Sequence, residues 1–202
     1  MKFLYPGCGS SAMYGVLASP GYGIAIGIAG GKPWAGDIGA LEGPSYVKRM
    51  VRIKALRWAR AMLPYVKSCL FLAGYDVVED ARRTLEAYAE FEICFPGWPL
   101  VYVAQNGAEY LPIPASCAAV FIGGNTSWKE SLEAVSVIKR AQAMGKHIHI
   151  GRVNWYARYK RFQVLAGAEH FTCDGTRPRF DGRDNTVRSW LGYESQPALV
   201  EI

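Results

Sequence analysis

Five short apolar stretches of this chain each run into a polar residue or a glycine pair. Asp37 follows Trp34-Ala35-Gly36, Gln105 follows the stretch 100–104, and Gly123 with Gly124 follow Ala119-Val120-Phe121-Ile122. Arg152 and Asn154 come just after His147-Ile148-His149-Ile150, and Asp174 closes His170-Phe171-Thr172-Cys173. Asp76, Glu79 and Asp80 trail the apolar stretch 69–73. Two separated carboxylates can divide the cleavage of a glycosidic bond, one as nucleophile and one as acid or base. A carboxylate also accepts from the N–H edge of guanine, and a Gln amide can pair with a purine through both its groups. Paired glycines let a flat base approach the backbone closely. The competing account is turn chemistry, because Asp-Gly and Asn-Gly are common turn formers. It suits a single strand end better than five of them.

Such residues converge only if the stretches before them are parallel strands. The pattern supports this, since short apolar runs alternate with longer helical ones. Strands are expected at 2–5, 22–28, 33–37, 69–73, 100–104, 119–122, 147–150 and 170–173, with helices at 45–66, 78–93, 127–144 and 154–165. A further helical segment is expected at 187–191. Strand-then-helix repeats imply right-handed parallel crossovers. Seven or eight strands fit an α/β fold of the compact (β/α) TIM-type barrel class, irregular or reduced at this length, better than an open doubly wound sheet. In such a barrel the carboxyl ends of the strands build the site.

The chain has 202 residues, half of them hydrophobic, which suits a single domain over 1–202 with an Arg-rich tail from about 177. No run of about 18 apolar residues occurs, so no membrane span is expected. Met1 to Pro6 do not read as a secretion signal. The five cysteines are odd in number and widely spaced, without a Cys-x-x-Cys pair, so free thiols in a reducing cytoplasm are expected rather than a zinc ribbon. No dinucleotide or P-loop glycine motif is present, and no cofactor is expected.

The net charge of +6 is concentrated in three segments. One, from 45 to 75, has seven cations and no acid until Asp76. The second holds Lys146, Arg152, Arg158, Lys160 and Arg161, interleaved with Trp155, Tyr156 and Tyr159. The third holds Arg177, Arg179, Arg183 and Arg188. Any one of them reads equally well as a solvated helix face. Three together favour an anionic polymer, because neutralising phosphates needs several cations on one surface.

The ordered set 34–39 (Trp-Ala-Gly-Asp-Ile-Gly), 76–81, 103–107 (Val-Ala-Gln-Asn-Gly), 121–129 (Phe-Ile-Gly-Gly-Asn-Thr-Ser-Trp-Lys), 149–154 (His-Ile-Gly-Arg-Val-Asn) and 173–176 (Cys-Asp-Gly-Thr) resembles short, phage-type relatives of the tRNA-guanine transglycosylases. That superfamily includes the 7-deazaguanine DNA transglycosylases. The resemblance implies Asp174 as nucleophile and Asp37 as the catalytic carboxylate that handles protons. It implies Asp80, with Asp76 as the fallback, together with Gln105, Gly123 and Gly124, as the residues that bind a guanine-like base. Arg152, Arg158, Lys160, Arg161, Arg177 and Arg179 would hold the nucleic-acid backbone.

Ile38 stands where that family has a small polar residue, and Asn106 where it has the first glycine of Gln-Gly-Gly. Nothing of the three-cysteine, one-histidine zinc pattern of the larger tRNA enzymes appears, which favours DNA over tRNA as partner. The implied reaction replaces guanine by a 7-deazaguanine base, without metal, in a bacterial or phage-infected cytoplasm. Larger members of the family often form dimers, so a homodimer is also carried as an expectation. Two other functions compete: a hydrolase or transferase of free nucleosides or nucleotides, and a non-catalytic nucleic-acid-binding barrel. His147 and His149 alternate onto one face without an evident third metal ligand, and are read as packing or phosphate contacts. His170 and the thiol of Cys173 are read as structural, and Trp128 and Lys129 as lining the site after Gly124.

Overall fold

The computed structural model describes residues 56–57, 59–60, 63–74, 76–167 and 171–175, and the backbone of 2–6, 13–18 and 34–37. The described residues form eight strands: β1 (Lys2–Pro6), β2 (Met13–Ala18), β3 (Trp34–Asp37), β4 (Cys69–Ala73), β5 (Leu100–Ala104), β6 (Ala119–Ile122), β7 (His147–Ile150) and β8 (Phe171–Asp174). They close into a barrel in chain order. From β3 round to β8, and from β8 to β1, every neighbouring pair is parallel. The exception is β2, which runs antiparallel to both β1 and β3. Residues 7–12 between β1 and β2 are too few for a crossover, which takes a dozen or more, so the chain can only turn back as a hairpin. The expected α/β barrel, irregular or reduced, is found in its α/β class; its irregularity is the inverted strand β2, where the sequence pattern places no strand.

The strands of the parallel run are apolar on both faces because both are covered. One face packs under the helices α1 (Ala81–Cys94), α3 (Leu132–Ala143) and α4 (Tyr156–Ala166). Leu72, Tyr102, Ile122, Ile150 and Cys173 meet Tyr88, Val137, Ile138, Tyr159 and Phe162 in one large core. The opposite face forms a separate inner cluster of Phe71, Ala73, Val101 and Ala119, with Phe121 packed against it. Register carries this inner face onwards. Val101 pairs with Ala119 and Ala119 with His147; Val103 pairs with Phe121, Phe121 with His149, and His149 with Thr172. Both histidines therefore point into the barrel.

The expected helix 127–144 is two helices, a short α2 (Thr126–Lys129) and then α3. Asn125 caps the first by accepting from the Trp128 N–H, and the Ser131 side chain sits at the N-terminus of the second, 3.4 Å from the Ala134 N–H. The expected strand 22–28, most of the helix 45–66 and the segment 187–191 lie outside the described residues. Among the described residues, no helix is long and apolar enough to cross a membrane.

Candidate active site

Parallel strands end on the same rim. Asp37 ends β3 and Asp174 ends β8, so both lie at the carboxyl end of the barrel, with β1 and β2 between them. Gln105 follows β5, Gly123 and Gly124 follow β6, and Arg152 lies two residues past the end of β7. The side chain of Asp37 lies outside what is described, as do Arg177 and Arg179.

Asp174 is held from two sides. Its Oδ1 accepts the Arg152 backbone N–H at 2.7 Å, and its Oδ2 lies 3.1 Å from His149 Nε2. The carboxylate is only 13% exposed, and His149 is 2% exposed. Arg152 takes a left-handed backbone, φ 60°, to aim that N–H. A non-glycine residue there carries strain, which persists where surrounding contacts enforce it. Its guanidinium donates to the carbonyls of Gly123 at 3.4 Å and Gly124 at 3.3 Å, tying the β6 and β7 loops together. Gly175 has no room for a side chain: a Cβ would lie 2.7 Å from Asn154 Oδ1 and closer still to the Val153 carbonyl.

On the β4–β5 side, Gln105 is buried and uses both ends of its amide. Nε2 donates to Asp76 Oδ2, and Oε1 accepts the Glu79 N–H at 3.1 Å. Asp76 as a residue is exposed, yet the atoms crowding its carboxylate push its pKa up. The backbone hydrogen bond, the charge of Arg152 and the Gln105 amide oppose that rise, so Asp76 and Arg152 share one electrostatic neighbourhood. Asp80 is placed differently from the expectation. Its carboxylate accepts the Arg83 N–H at 3.0 Å and caps α1, so Asp76 is the carboxylate joined to Gln105. Thr84 supports this loop: its hydroxyl accepts the Val77 N–H at 2.9 Å and reaches the Asp80 carbonyl at 2.7 Å.

The glycine pair is sterically required. A Cβ on Gly123 would stand 2.7 Å from Val103 Cγ1 and 2.8 Å from Gln105 Nε2. One on Gly124 would stand 2.8 Å from Asn106 Oδ1 and enter the Trp128 ring. Asn106, which occupies a glycine position of the resembled motif, accepts the Asn125 N–H at 3.0 Å and fixes the loop.

Lys129 matters more than its sequence position indicated. It is 2% exposed and donates from Nζ to the Gly151 carbonyl at 2.8 Å. Burial first, then the charge of Arg152, lower its pKa to about 8, while Asp174 works against them. The cations of α4 are partly engaged. Arg158 pairs with Glu130 at 2.7 Å, Arg161 donates to the Glu130 carbonyl at 2.7 Å, and Lys160 donates to Gln163 at 3.0 Å.

His147 and His149 meet Thr172 Oγ1 from Nε2 at 2.8 Å and from Nδ1 at 2.9 Å respectively. Their shared partner is a hydroxyl, so both histidines belong to a polar network inside the barrel. Among the described residues no group of three His, Cys, Asp or Glu converges as a metal ion would need. Cys173 faces the helices in the outer core, where burial raises its pKa well above the usual thiol value. The rim bears the Asp174 carboxylate, the Asp76–Gln105 pair and the Gly123-Gly124 turn. No protein-family model and no curated protein matches the chain, so the residues of this rim carry the functional argument alone.

Proposed function

We propose that the protein exchanges a guanine base in nucleic acid, DNA in the first instance, for a 7-deazaguanine on a reduced TIM-type barrel. One observation carries the reading: Asp174 stands at the carboxyl rim with Oδ1 accepting the Arg152 N–H and Oδ2 3.1 Å from His149 Nε2, on the rim that also bears Gln105, Asp76 and the Gly123-Gly124 turn. An Asp174 oxygen attacks C1′, the C1′–N9 bond breaks, and guanine leaves with the bonding pair. The incoming deazaguanine then gives up its N9 proton, attacks C1′ and breaks the glycosyl ester. Asp37 moves the proton onto the first base and off the second. Dividing one hard displacement into two easier ones is the gain from a carboxylate nucleophile. Asp76, Gln105 and the glycine turn select the base, with Asp80 supporting them as the cap of α1. A base inside a duplex has to leave the stack first. Arg152, Lys160 and the solvent-facing edges of Arg158 and Arg161 would hold the phosphates around it.

A second reading is a hydrolase or transferase of free nucleosides with the same carboxylate. The engagement of Arg158 and Arg161 with Glu130 favours it, since those cations are partly used within the protein. Exchange of labelled guanine from duplex DNA, tRNA and free deoxyguanosine separates the two. Base exchange in polymer predicts turnover of DNA and none of deoxyguanosine. Asp174→Asn is expected to abolish exchange and to keep nucleic-acid binding. Full activity in that variant would remove the proposed nucleophile.

A further inference from the structure

The barrel interior of a small α/β protein is usually filled with branched apolar side chains. Here β7 and β8 place a line of polar groups in it: His147 Nε2 to Thr172 Oγ1, Thr172 Oγ1 to His149 Nδ1, His149 Nε2 to Asp174 Oδ2, and Asp174 Oδ1 to the Arg152 N–H. Thr172 is fully buried. A buried polar chain of this kind is costly unless every member is satisfied. The four residues alternate along two paired strands, so the register alone sets the line.

We infer that His147, Thr172 and His149 form a directional hydrogen-bond line that aims Asp174 by holding one of its oxygens under an imidazole N–H. The direction follows from proton counting. A carboxylate at Asp174 only accepts, so His149 must carry its proton on Nε2. Its Nδ1 is then an acceptor, and the Thr172 hydroxyl must donate to it. The same oxygen accepts in turn from His147 Nε2–H. Each hydrogen is committed, and both histidines take the Nε2–H tautomer. Around His149, β4 and β6 present the rings of Phe71 and Phe121, with centroids at 5.0 and 4.5 Å. Among the described residues, Arg152 donates its backbone N–H to Asp174, and Lys129 of α2 is coupled to that carboxylate. A chain of fixed tautomers, rather than bulk water, thus sets the angle of the carboxylate. His147, Thr172 and His149 are positioning residues, and none of them is placed against substrate.

The consequence for turnover rests on the base-exchange reading, whereas the tautomers do not. The test uses the full chain with three variants: Thr172→Val, which keeps the shape and removes the hydroxyl, Thr172→Ser, which keeps the hydroxyl, and His149→Gln. Nitrogen-15 NMR of the imidazoles is expected to show Nε2–H tautomers for both histidines in the native protein and in Thr172→Ser. Thr172→Val is expected to keep Nε2–H at His149, which Asp174 sets, and to lose the fixed tautomer at His147. In guanine exchange, Thr172→Val and His149→Gln are expected to lower kcat roughly tenfold, the rate equivalent of about one hydrogen bond, with KM for the base unchanged. Thr172→Ser restores the rate. An Nδ1–H tautomer at His149 in the native protein would overturn the inference, as would a Thr172→Val protein in which His147 keeps its fixed Nε2–H tautomer. If the native chain exchanges no base while the tautomers stand as described, the function fails and the line survives.

Discussion

Lys129 offers a prediction whose size follows from its surroundings. Its ammonium is buried against the Gly151 carbonyl, and burial lowers its pKa from the ordinary 10.5 to about 8. The unfolded chain therefore holds a proton between pH 8 and pH 10.5 that the folded chain has released. Wherever the unfolded state binds more protons, stability rises with pH. The destabilising effect is complete below pH 8 and is relieved as the pH climbs towards 10.5. With about 1.4 kcal/mol per unit, the full effect is about 3 kcal/mol, of which about 2.5 kcal/mol is recovered between pH 7 and pH 10. The perturbation is Lys129→Met, which removes the titration and keeps the volume. Urea unfolding of both proteins at a series of pH values is the assay, because tyrosine and cysteine titrations shared by the two cancel in the difference. At a typical urea dependence of about 2 kcal/mol per molar, the native midpoint should gain on the variant by roughly 1 M from pH 7 to pH 10. A difference that stays flat, or that falls with pH, would refute the claim that this amine is buried as a destabilised cation.

Three further outcomes are expected. Gly124→Ala puts a methyl group into the Trp128 ring and against Asn106, so it should cost about 1–3 kcal/mol of stability in thermal unfolding and raise KM for the base. Thr84→Val leaves the Val77 N–H without its hydroxyl partner, and a loss of about 1–3 kcal/mol is expected from denaturant titration. Asp76→Asn should weaken base binding in equilibrium titration. Because burial raises the Asp76 pKa, the folded chain keeps its proton over a window above 3.8 in which the unfolded chain has lost it. The stability of the native protein relative to Asp76→Asn should thus fall as pH rises through that window.

The strands β5, β6 and β7 were legible to the residue, because each is a short apolar run bounded by proline, glycine or polar turn residues. Strand β2 was not, since Met13 to Ala18 carries a glycine at its centre and belongs to a hairpin rather than to the repeating unit. The break between α2 and α3 is a capping event at Ser131 within a continuous helical pattern, and such patterns do not show where a chain bends. The assignment of Asp80 to the base pocket overlooked a local signal: an Asp immediately before a helical run is an N-cap. Asp76 lies four residues earlier, where the loop geometry turns it towards Gln105. The alternation of His147 and His149 was visible, but their partner was not. Thr172 lies 25 and 23 residues away, and only the pairing of β7 with β8 brings it between them. The burial of Lys129 had no sequence signal, because the acceptor that tolerates it is the backbone of Gly151, reached across the β6–β7 loops.

The central claim is that Asp174 becomes covalently attached to the sugar. Acid quenching of the protein on guanine-containing DNA, without added deazaguanine, followed by nuclease digestion and peptide mass analysis, tests it directly. A deoxyribose-bearing adduct on the peptide containing Asp174, released as free protein when 7-deazaguanine is added before quenching, is the predicted result. Base exchange that proceeds with no adduct on that peptide, or with the adduct on another carboxylate, would contradict the account.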